Sequence, residues 1–337
     1  LGVDVPGRRL FDRTGAILSE LDFPQTLTTW SRLREVLRNA VPDAAYHSRK
    51  ALTSVESSAS GVGLHFADGS TFEGDLVVAA DGIQSTARAL LLPGVEPVYA
   101  GYVAWRGLVQ ESVLAPDVQT ELCDWFGFAL PPGEQMLGYP VAGADGSLTR
   151  GSRGFNTVWY RPAPVATATA ELMIDGPPGE PPLSIPPDRI RPAAVAAMRE
   201  AARAVLPPVF QAVVEATERP LVQPIVDLES PTLAPDPHGR VALVGDAGFV
   251  ARPHVGMGVL KAMGDGEALA RALGAHPGDR VRALAQFDAE RVAFGRAIVA
   301  RGRRLGTGLA DARQAPLPLA TVLRQTAAVP MPGDGED

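Results

Sequence analysis

The stretch GRVALVGDAGFVARPHVGMG, residues 239–258, has the pattern that decides the fold. It begins with a short apolar run over 241–244, continues through Gly245 and Asp246, and ends where a helix is predicted over about 259–273. An apolar run of this length is typical of a buried strand in a parallel sheet. Ligands bind at the carboxyl ends of such strands, so Asp246 is placed to accept hydrogen bonds from sugar-alcohol hydroxyls.

A second glycine-rich turn, made by Gly256, Met257 and Gly258, opens that helix. The first backbone N–H groups of a helix lack intrahelical partners and carry the positive end of its dipole. This turn therefore predicts a site that stabilises an anion. A turn that only connects strand and helix is the alternative, because glycine-rich loops are common.

The same order of elements occurs earlier in the chain, in the stretch DLVVAADGIQSTAR, residues 75–88. An apolar run over 76–79 predicts a strand, Asp81 and Gly82 form a sharp turn, and a short helix follows. Between the two copies, alternating and aromatic runs predict a mostly antiparallel sheet. We therefore predict an α/β fold in which a doubly wound, Rossmann-like domain (1–97 and 226–337) is interrupted by an α+β domain (98–225).

The other predicted elements follow from periodicity and from glycine and proline signals. They are helices over 28–41, 192–204 and 281–305, strands over 51–55, 63–66, 99–108, 135–139 and 155–160, and a proline-rich surface loop over 161–187.

The composition favours small-molecule chemistry. The 337 residues carry a net charge of −7, which argues against a nucleic-acid or anionic-membrane binder. Cys123 is the only cysteine and the five histidines have no ligand-like spacing, so no metal site is predicted. The low cysteine content favours a reducing compartment, and we expect a cytoplasmic protein.

The two motifs together resemble those of the FAD-dependent aromatic-ring monooxygenases of the para-hydroxybenzoate hydroxylase type. Within that family the chain is most similar to the 2,6-dihydroxypyridine 3-hydroxylase branch, on the stretches YAGYVAWRG (99–107) and ARPH (251–254). The likeness runs from about Val3 to Phe294. It implies FAD as cofactor, NADH or NADPH and O2 as co-substrates, and hydroxylation of an electron-rich aromatic or pyridine-type ring through a flavin hydroperoxide.

The resemblance also implies roles for individual residues. Gly245 and Asp246 would contact the ribityl chain of FAD, Pro253 would lie beside the isoalloxazine, and the amides of 256–258 would face its N1–C2=O edge. Asp81 and Arg88 would lie near the pyrophosphate and the nicotinamide approach. Lys261, which follows the second turn, is expected to be solvated.

Weaker candidates concern the substrate. His254 could hydrogen-bond a ring hydroxyl or tune the flavin, although a lone histidine is more often structural. Tyr102, Trp105 and Tyr160 could line an aromatic pocket, although strand aromatics are usually core residues.

One part of the family pattern is missing. Family members begin with a strand, a Gly-x-Gly-x-x-Gly turn and a helix that bind the FAD pyrophosphate, and no such spacing occurs near Leu1. The expectation is that the chain starts about 50 residues late, more than one βαβ unit of about 30 residues. It would then be either a fragment of a longer polypeptide or a shortened relative.

Alternative functions stay open at this point. A non-catalytic relative that has lost FAD binding is one, and a flavin-dependent epoxidase or halogenase is another. Halogenation calls for a lysine beside a substrate tunnel, and Lys50 and Lys261 are the only lysines. Whether the protein forms a homodimer is also open.

Overall fold

The computed structural model describes residues 2–174, 182–309 and 317–327. The chain forms two compact units. The first contains Leu1–Pro42, Tyr99–Ile225 and Thr307–Arg324, and the second contains Asp43–Val98, Val226–Gly306 and Gln325–Asp337.

Strands and α-helices account for most of the described residues. The strands are β1 (Val3–Phe11), β2 (Ile17–Leu27), β3 (Leu52–Ser57), β4 (Val62–Phe66), β5 (Thr71–Gly74), β6 (Val77–Ala79), β7 (Val98–Gln110), β8 (Phe126–Ala129), β9 (Gln135–Val141), β10 (Gly154–Pro162), β11 (Leu221–Glu229), β12 (Val241–Leu243) and β13 (Phe249–Val250). The α-helices are α1 (Trp30–Asn39), α2 (Thr86–Leu91), α3 (Pro116–Leu122), α4 (Val165–Leu172), α5 (Pro192–Val205), α6 (Pro208–Ala216), α7 (Gly258–Ala275), α8 (Arg280–Leu305) and α9 (Leu319–Gln325).

The first unit is built on a large sheet with the strand order β11-β7-β10-β9-β8-β1-β2. Strand β10 is antiparallel to both β7 and β9, and this confirms the predicted antiparallel middle. One face of the sheet packs on an apolar core that includes Trp105, Trp159 and Phe210. Phe11 and Phe210 meet edge to face there, with ring centroids 6.2 Å apart.

The first 42 residues do not belong to the unit for which they were predicted. The prediction placed 1–97 with 226–337, but Leu1–Pro42 folds with Tyr99–Ile225. The reason is strand pairing, since β1 runs parallel to β8, with Arg8 opposite Phe126 and Phe11 opposite Ala129.

The second unit contains both predicted strand–turn–helix segments. Strands β12 and β6 are parallel neighbours, with Val241 opposite Val77 and Leu243 opposite Ala79. Helices α7 and α8 contribute Leu269 and Phe287 to the core of this unit. Strands β3, β4 and β5 form a separate antiparallel sheet, and the last residues of β11 pair with β13.

Most of the predicted helices are confirmed, and one predicted loop is wrong in part. Helix α1 begins where expected, with the Thr29 hydroxyl accepting a hydrogen bond from the Arg32 amide at 3.2 Å. The loop predicted over 161–187 contains α4, because the sequence between Pro164 and Pro177 has no proline to interrupt a helix. Residues 175–181 of that prediction lie outside the described residues. In the described part of the chain, no helix combines the length and apolarity that crossing a membrane requires.

The packing of the first unit predicts that two leucine-to-alanine substitutions will lower the free energy of unfolding by very different amounts. Leu122 is fully buried, whereas Leu18 is 57% exposed. Leu122→Ala should lower the free energy of unfolding by about 2–5 kcal/mol, because it leaves a cavity in the core. Leu18→Ala is the matched control and should change it by less than about 0.5 kcal/mol. Urea unfolding curves followed by fluorescence measure both values, and equal effects would contradict the described packing.

Candidate functional site

Asp246 lies in the short 3-10 turn, Gly245–Ala247, that follows β12. Gly245 has a φ of +60°, a left-handed conformation that favours glycine. The Val244 amide donates to the Ala79 carbonyl at 3.0 Å, which joins this turn to the end of β6. Gly245 and Ala247 are buried while Asp246 is exposed, so the turn directs its carboxylate to the protein surface.

A buried carboxylate on α7 holds this turn in place. Asp265 is 4% exposed. One of its oxygens accepts a hydrogen bond from the Gly245 amide at 2.9 Å, and the other accepts one from Arg291 Nε at 2.7 Å. A buried carboxylate is stable only when it is paired in this way, so its partners are fixed with it.

Lys261 lies one helical turn before Asp265 and is not solvated, so that expectation was wrong. It is 2% exposed, and its Nζ lies 3.6 Å from Asp265 Oδ2. The two side chains therefore form an ion pair whose distance is too long for a hydrogen bond. Within the described residues, the Nζ atom has no partner at hydrogen-bond distance. Burial lowers the pKa of Lys261, and the negative charges of Asp265 and Asp246 oppose that effect.

The Asp246 carboxyl group is affected by the same charges. The protein around it reduces its hydration and raises the pKa of Asp246. The positive charge of Lys261 acts in the opposite direction, and the negative charge of Asp265 raises the pKa further.

The second glycine turn is fixed by the segment after α9. Gly256 has a φ of +62°, and a Cβ atom at this position would collide with Ala327. The His254 carbonyl accepts a hydrogen bond from the Ala327 amide at 2.7 Å. Conformation and space therefore both require glycine at position 256.

Helix α7 begins at Gly258 without a side-chain cap. Met257 is its N-cap residue and makes no side-chain capping hydrogen bond. A Cβ atom added to Gly258 would meet nothing within 4 Å. The first amides of α7 therefore lie at the positive end of the helix dipole, and there is free space beside the Cα of Gly258.

Pro253 and His254 lie just before this turn, in a 3-10 segment, Pro253–Val255. Pro253 is half-buried and His254 is fully buried. Burial, together with the positive charge of Arg252, lowers the pKa of His254 to about 3. The imidazole is therefore neutral at physiological pH and does not act as a cationic acid there.

The Asp-Gly motif lies beside the Asp246 turn. Asp81 accepts hydrogen bonds from the Ser85 hydroxyl at 2.6 Å and the Ala87 amide at 3.0 Å, and so stabilises the start of α2. Arg88 is buried and donates to the carbonyls of Val95, Ile83 and Ala247 at 3.1, 2.7 and 2.9 Å. The structure thus brings the two motifs together through Arg88, whose guanidinium donates to backbone carbonyls on both sides.

The aromatic candidates divide between the two faces of the large sheet in the first unit. Trp105 belongs to the apolar core. Tyr102 and Tyr160 are buried outside that core and meet edge to face, with centroids 6.2 Å apart at 80°. Burial raises the pKa of Tyr160, so its phenol stays protonated at neutral pH.

Sequence reasoning missed a row of polar residues on the same face as Tyr102 and Tyr160. Arg106 Nε donates to the Gln223 side-chain oxygen at 2.7 Å. Asn156 lies opposite Tyr139 on the neighbouring strand, so both side chains are on this face. The signal was the period-2 alternation of β7, which places Arg106 on the face of Tyr102.

Comparisons with known proteins agree with this picture. A family model described as "FAD binding domain-like" matches residues 99–227. The 2,6-dihydroxypyridine 3-monooxygenase of Paenarthrobacter nicotinovorans is 30% identical over 259 residues, which are 77% of this chain and 62% of that protein. The 6-hydroxynicotinate 3-monooxygenase of Pseudomonas fluorescens is 32% identical over 261 residues, covering 76% of this chain and 59% of that protein.

A solved structure shows the same fold. The 2,6-dihydroxypyridine-3-hydroxylase from Arthrobacter nicotinovorans superposes with a TM-score of 0.82 and 26% identity, over 99% of this chain and 79% of that one. The fold is therefore that of the flavin-dependent hydroxylases, with a mostly antiparallel sheet in the middle segment. The chain is similar in sequence to these two monooxygenases, and it spans about three fifths of the length of each of them.

Substitution by alanine should have different effects on stability at the two turn glycines. Gly256→Ala should lower the midpoint of thermal unfolding by several degrees, because the new Cβ is strained at positive φ and collides with Ala327. Gly258→Ala should leave it nearly unchanged, because its Cβ enters open space. Differential scanning calorimetry of both variants tests this difference, and a destabilised Gly258→Ala with a normal Gly256→Ala would reverse the assignment.

Proposed function

We propose that this chain binds FAD through the Asp246 turn and the start of α7, and that the protein hydroxylates an electron-rich aromatic or pyridine-type ring with NADH or NADPH and O2. The observation that carries the proposal is the exposed Asp246 carboxylate in the same unit as an uncapped helix start. The names of the relatives support the substrate class, since they describe hydroxylation of hydroxylated pyridine rings.

The described residues fit part of such a cofactor. A ribityl chain offers hydroxyl donors, and the exposed Asp246 carboxylate is an acceptor that the protein leaves accessible. The N1–C2=O edge of a reduced flavin carries negative charge, and the first amides of α7 provide donors and a positive dipole end. The open space at Gly258 leaves room for a flat ring to approach these amides.

When bound, the flavin would supply the redox chemistry and the activation of O2. The chain's own contribution is to bind and to orient. Asp246 would hold hydroxyl groups, and the amides of Met257 and Gly258 would stabilise negative charge. Arg88 and Asp81 would maintain the turns that carry these groups, by binding Ala247 and the start of α2.

The ring substrate would bind on the polar face of the large sheet. Tyr160 remains a hydrogen-bond donor because its phenol is protonated. Arg106 is half-buried and positively charged, which suits a phenolate or a ring carbonyl oxygen. Trp105 would support this face from the core rather than contact the substrate. His254, which is buried and neutral, would support the second turn and is not assigned a proton-transfer step.

The second candidate function is a non-catalytic relative that does not bind FAD. Flavin binding by the polypeptide separates the two candidates. We also propose that the protein forms a homodimer, which analytical ultracentrifugation tests, and that it is cytoplasmic, which cell fractionation tests.

FAD binding should depend on one carboxylate. Asp246→Ala should weaken FAD binding about tenfold or more, because it removes an anionic acceptor whose hydrogen bonds are worth about 1.5–3 kcal/mol. Glu267→Ala, which removes an exposed carboxylate from α7, is the matched control and should leave the dissociation constant unchanged. Quenching of FAD fluorescence on titration measures both.

Two results would count against this part of the proposal. If the wild-type polypeptide fails to bind FAD, the non-catalytic alternative is favoured for the chain as it stands. If FAD binds and Asp246→Ala binds it equally well, then the cofactor uses other residues.

Substrate binding should depend on Arg106. Arg106→Met should raise the dissociation constant of 2,6-dihydroxypyridine about tenfold, because a charged donor to the ring oxygen is lost. Arg150→Met, at an exposed arginine that pairs with Asp124, is the control and should have no effect. Isothermal titration calorimetry of the FAD-loaded protein gives both constants, and an unchanged constant in Arg106→Met would remove this residue from the substrate site.

A further inference from the structure

Behind the Asp246 turn lies a buried group of charges that the proposed function does not yet use. It consists of Lys261 and Asp265 on α7 and Arg291 on α8. We propose that Asp265 and Lys261 are positioning residues for Asp246: Asp265 fixes the backbone of the turn, and Lys261, which is buried beside Asp265, places a positive charge behind the turn that favours an Asp246 carboxylate able to accept from ligand hydroxyls. This proposal rests on the proposed function, because it deepens the role assigned there to Asp246.

The position of the two residues on α7 supports a built arrangement. Lys261 and Asp265 are four residues apart and so lie on one face of the helix. The buried residues of α7 are Lys261, Asp265, Ala268, Leu269 and Ala272, which form one continuous stripe. The two charged residues therefore occupy the inward face of α7, at the end nearest the Gly258 start.

Asp265 makes direct contact with the turn. Its Oδ2 atom accepts the hydrogen bond from the Gly245 amide, while its Oδ1 atom is bound by Arg291 Nε. Arg291 lies over the Phe294 ring, with its guanidinium carbon 4.2 Å from the ring centroid, and this contact limits the freedom of the guanidinium. The carboxylate is thus held on one side by α8 and holds the backbone of Gly245 on the other.

Lys261 has a different relation to this group. Its Nζ atom lies 3.6 Å from Asp265 Oδ2, which is within the range of an ion pair but too long for a hydrogen bond. A buried ammonium is costly unless it is paired with negative charge, and Asp265 supplies such a charge. The second carboxylate that interacts with it electrostatically is Asp246, the exposed member of the turn.

The charges that act on Asp246 can be named for each packed element. Lys261 and Asp265 come from α7, and Arg291 from α8 is bound to Asp265. Arg88 from α2 donates to the Ala247 carbonyl, next to Asp246 in the turn. Removal of the Lys261 charge leaves Asp246 with reduced hydration and the negative charge of Asp265, and both raise its pKa. The carboxylate would then take up a proton at higher pH, and it would lose acceptor capacity as the pH falls through that raised value.

The test measures the titration of Asp246 directly, without FAD. Carbon-13 NMR of aspartate-labelled protein follows the side-chain carboxyl signal of Asp246, which is identified by its loss in Asp246→Asn. In Lys261→Met the midpoint should lie at a higher pH than in wild type, because the positive charge that lowers the pKa of Asp246 is lost. Lys261→Arg should keep a midpoint close to the wild-type value, because the positive charge is retained. Lys50→Met, at a lysine that pairs with Asp68 far along the chain, is the matched control and should leave the midpoint unchanged.

Amide hydrogen exchange tests the role of Asp265. Asp265→Asn should increase the exchange rate of the Gly245 amide about tenfold or more, because the charged acceptor is lost. The Leu243 amide, which donates to the Leu233 carbonyl at 2.8 Å, serves as the internal reference. Equal acceleration of both amides reports general unfolding and would overturn the specific role of Asp265.

The outcomes separate this proposal from the proposed function. An Asp246 midpoint that is the same in wild type, Lys261→Met and Lys261→Gln would overturn the role of Lys261, whatever the protein binds. Lys261→Gln is included because it keeps a polar side chain in the buried position and so folds if Lys261→Met does not. If the midpoint shifts as expected but wild type does not bind FAD, the electrostatic coupling stands and the proposed cofactor is wrong. If the midpoint shifts as expected and wild type binds FAD, the affinity of both proteins for FAD should fall as the pH is lowered. In Lys261→Met this fall should begin at a higher pH than in wild type.

Discussion

The candidate site depends on the hydrogen bond between the Gly245 amide and the buried carboxylate of Asp265. Gly245 is in a left-handed conformation at the end of a buried strand, and its amide points toward α7. Because Asp265 is also bound by Arg291, the turn, α7 and α8 are joined through one carboxylate. The exposed position of Asp246 follows from this arrangement, since the backbone on either side of it is buried.

The surrounding structure supports the same turn from other directions. Arg88 binds the Ala247 carbonyl and so connects the Asp-Gly motif to it. The start of α7 is set by Gly256, whose conformation and close contact with Ala327 leave no room for a side chain. An acceptor for hydroxyls and a set of donors for an anion are thus both held by buried interactions. Such preorganisation allows a site to bind without first paying the cost of ordering its groups.

Much of this could be predicted from the sequence, because the strand–turn–helix pattern is local. The apolar run before Gly245 and the glycines at 256 and 258 were sufficient to place β12 and the start of α7. The burial of Lys261 was not predicted, because lysine is usually solvated. Its position on the stripe of Asp265, Ala268 and Leu269 is the signal in the sequence that indicates burial. The pairing of β1 with β8 joins segments more than a hundred residues apart, and no local pattern specifies it.

The most direct test of the central claim is a crystal structure of this polypeptide soaked or co-crystallised with FAD. The account predicts that a carboxylate oxygen of Asp246 lies within hydrogen-bond distance of a ribityl hydroxyl, that the flavin ring lies against the first amides of α7, and that the Gly245–Asp265 hydrogen bond persists. A complex in which FAD binds elsewhere, or in which Asp246 makes no contact with it, would contradict the account.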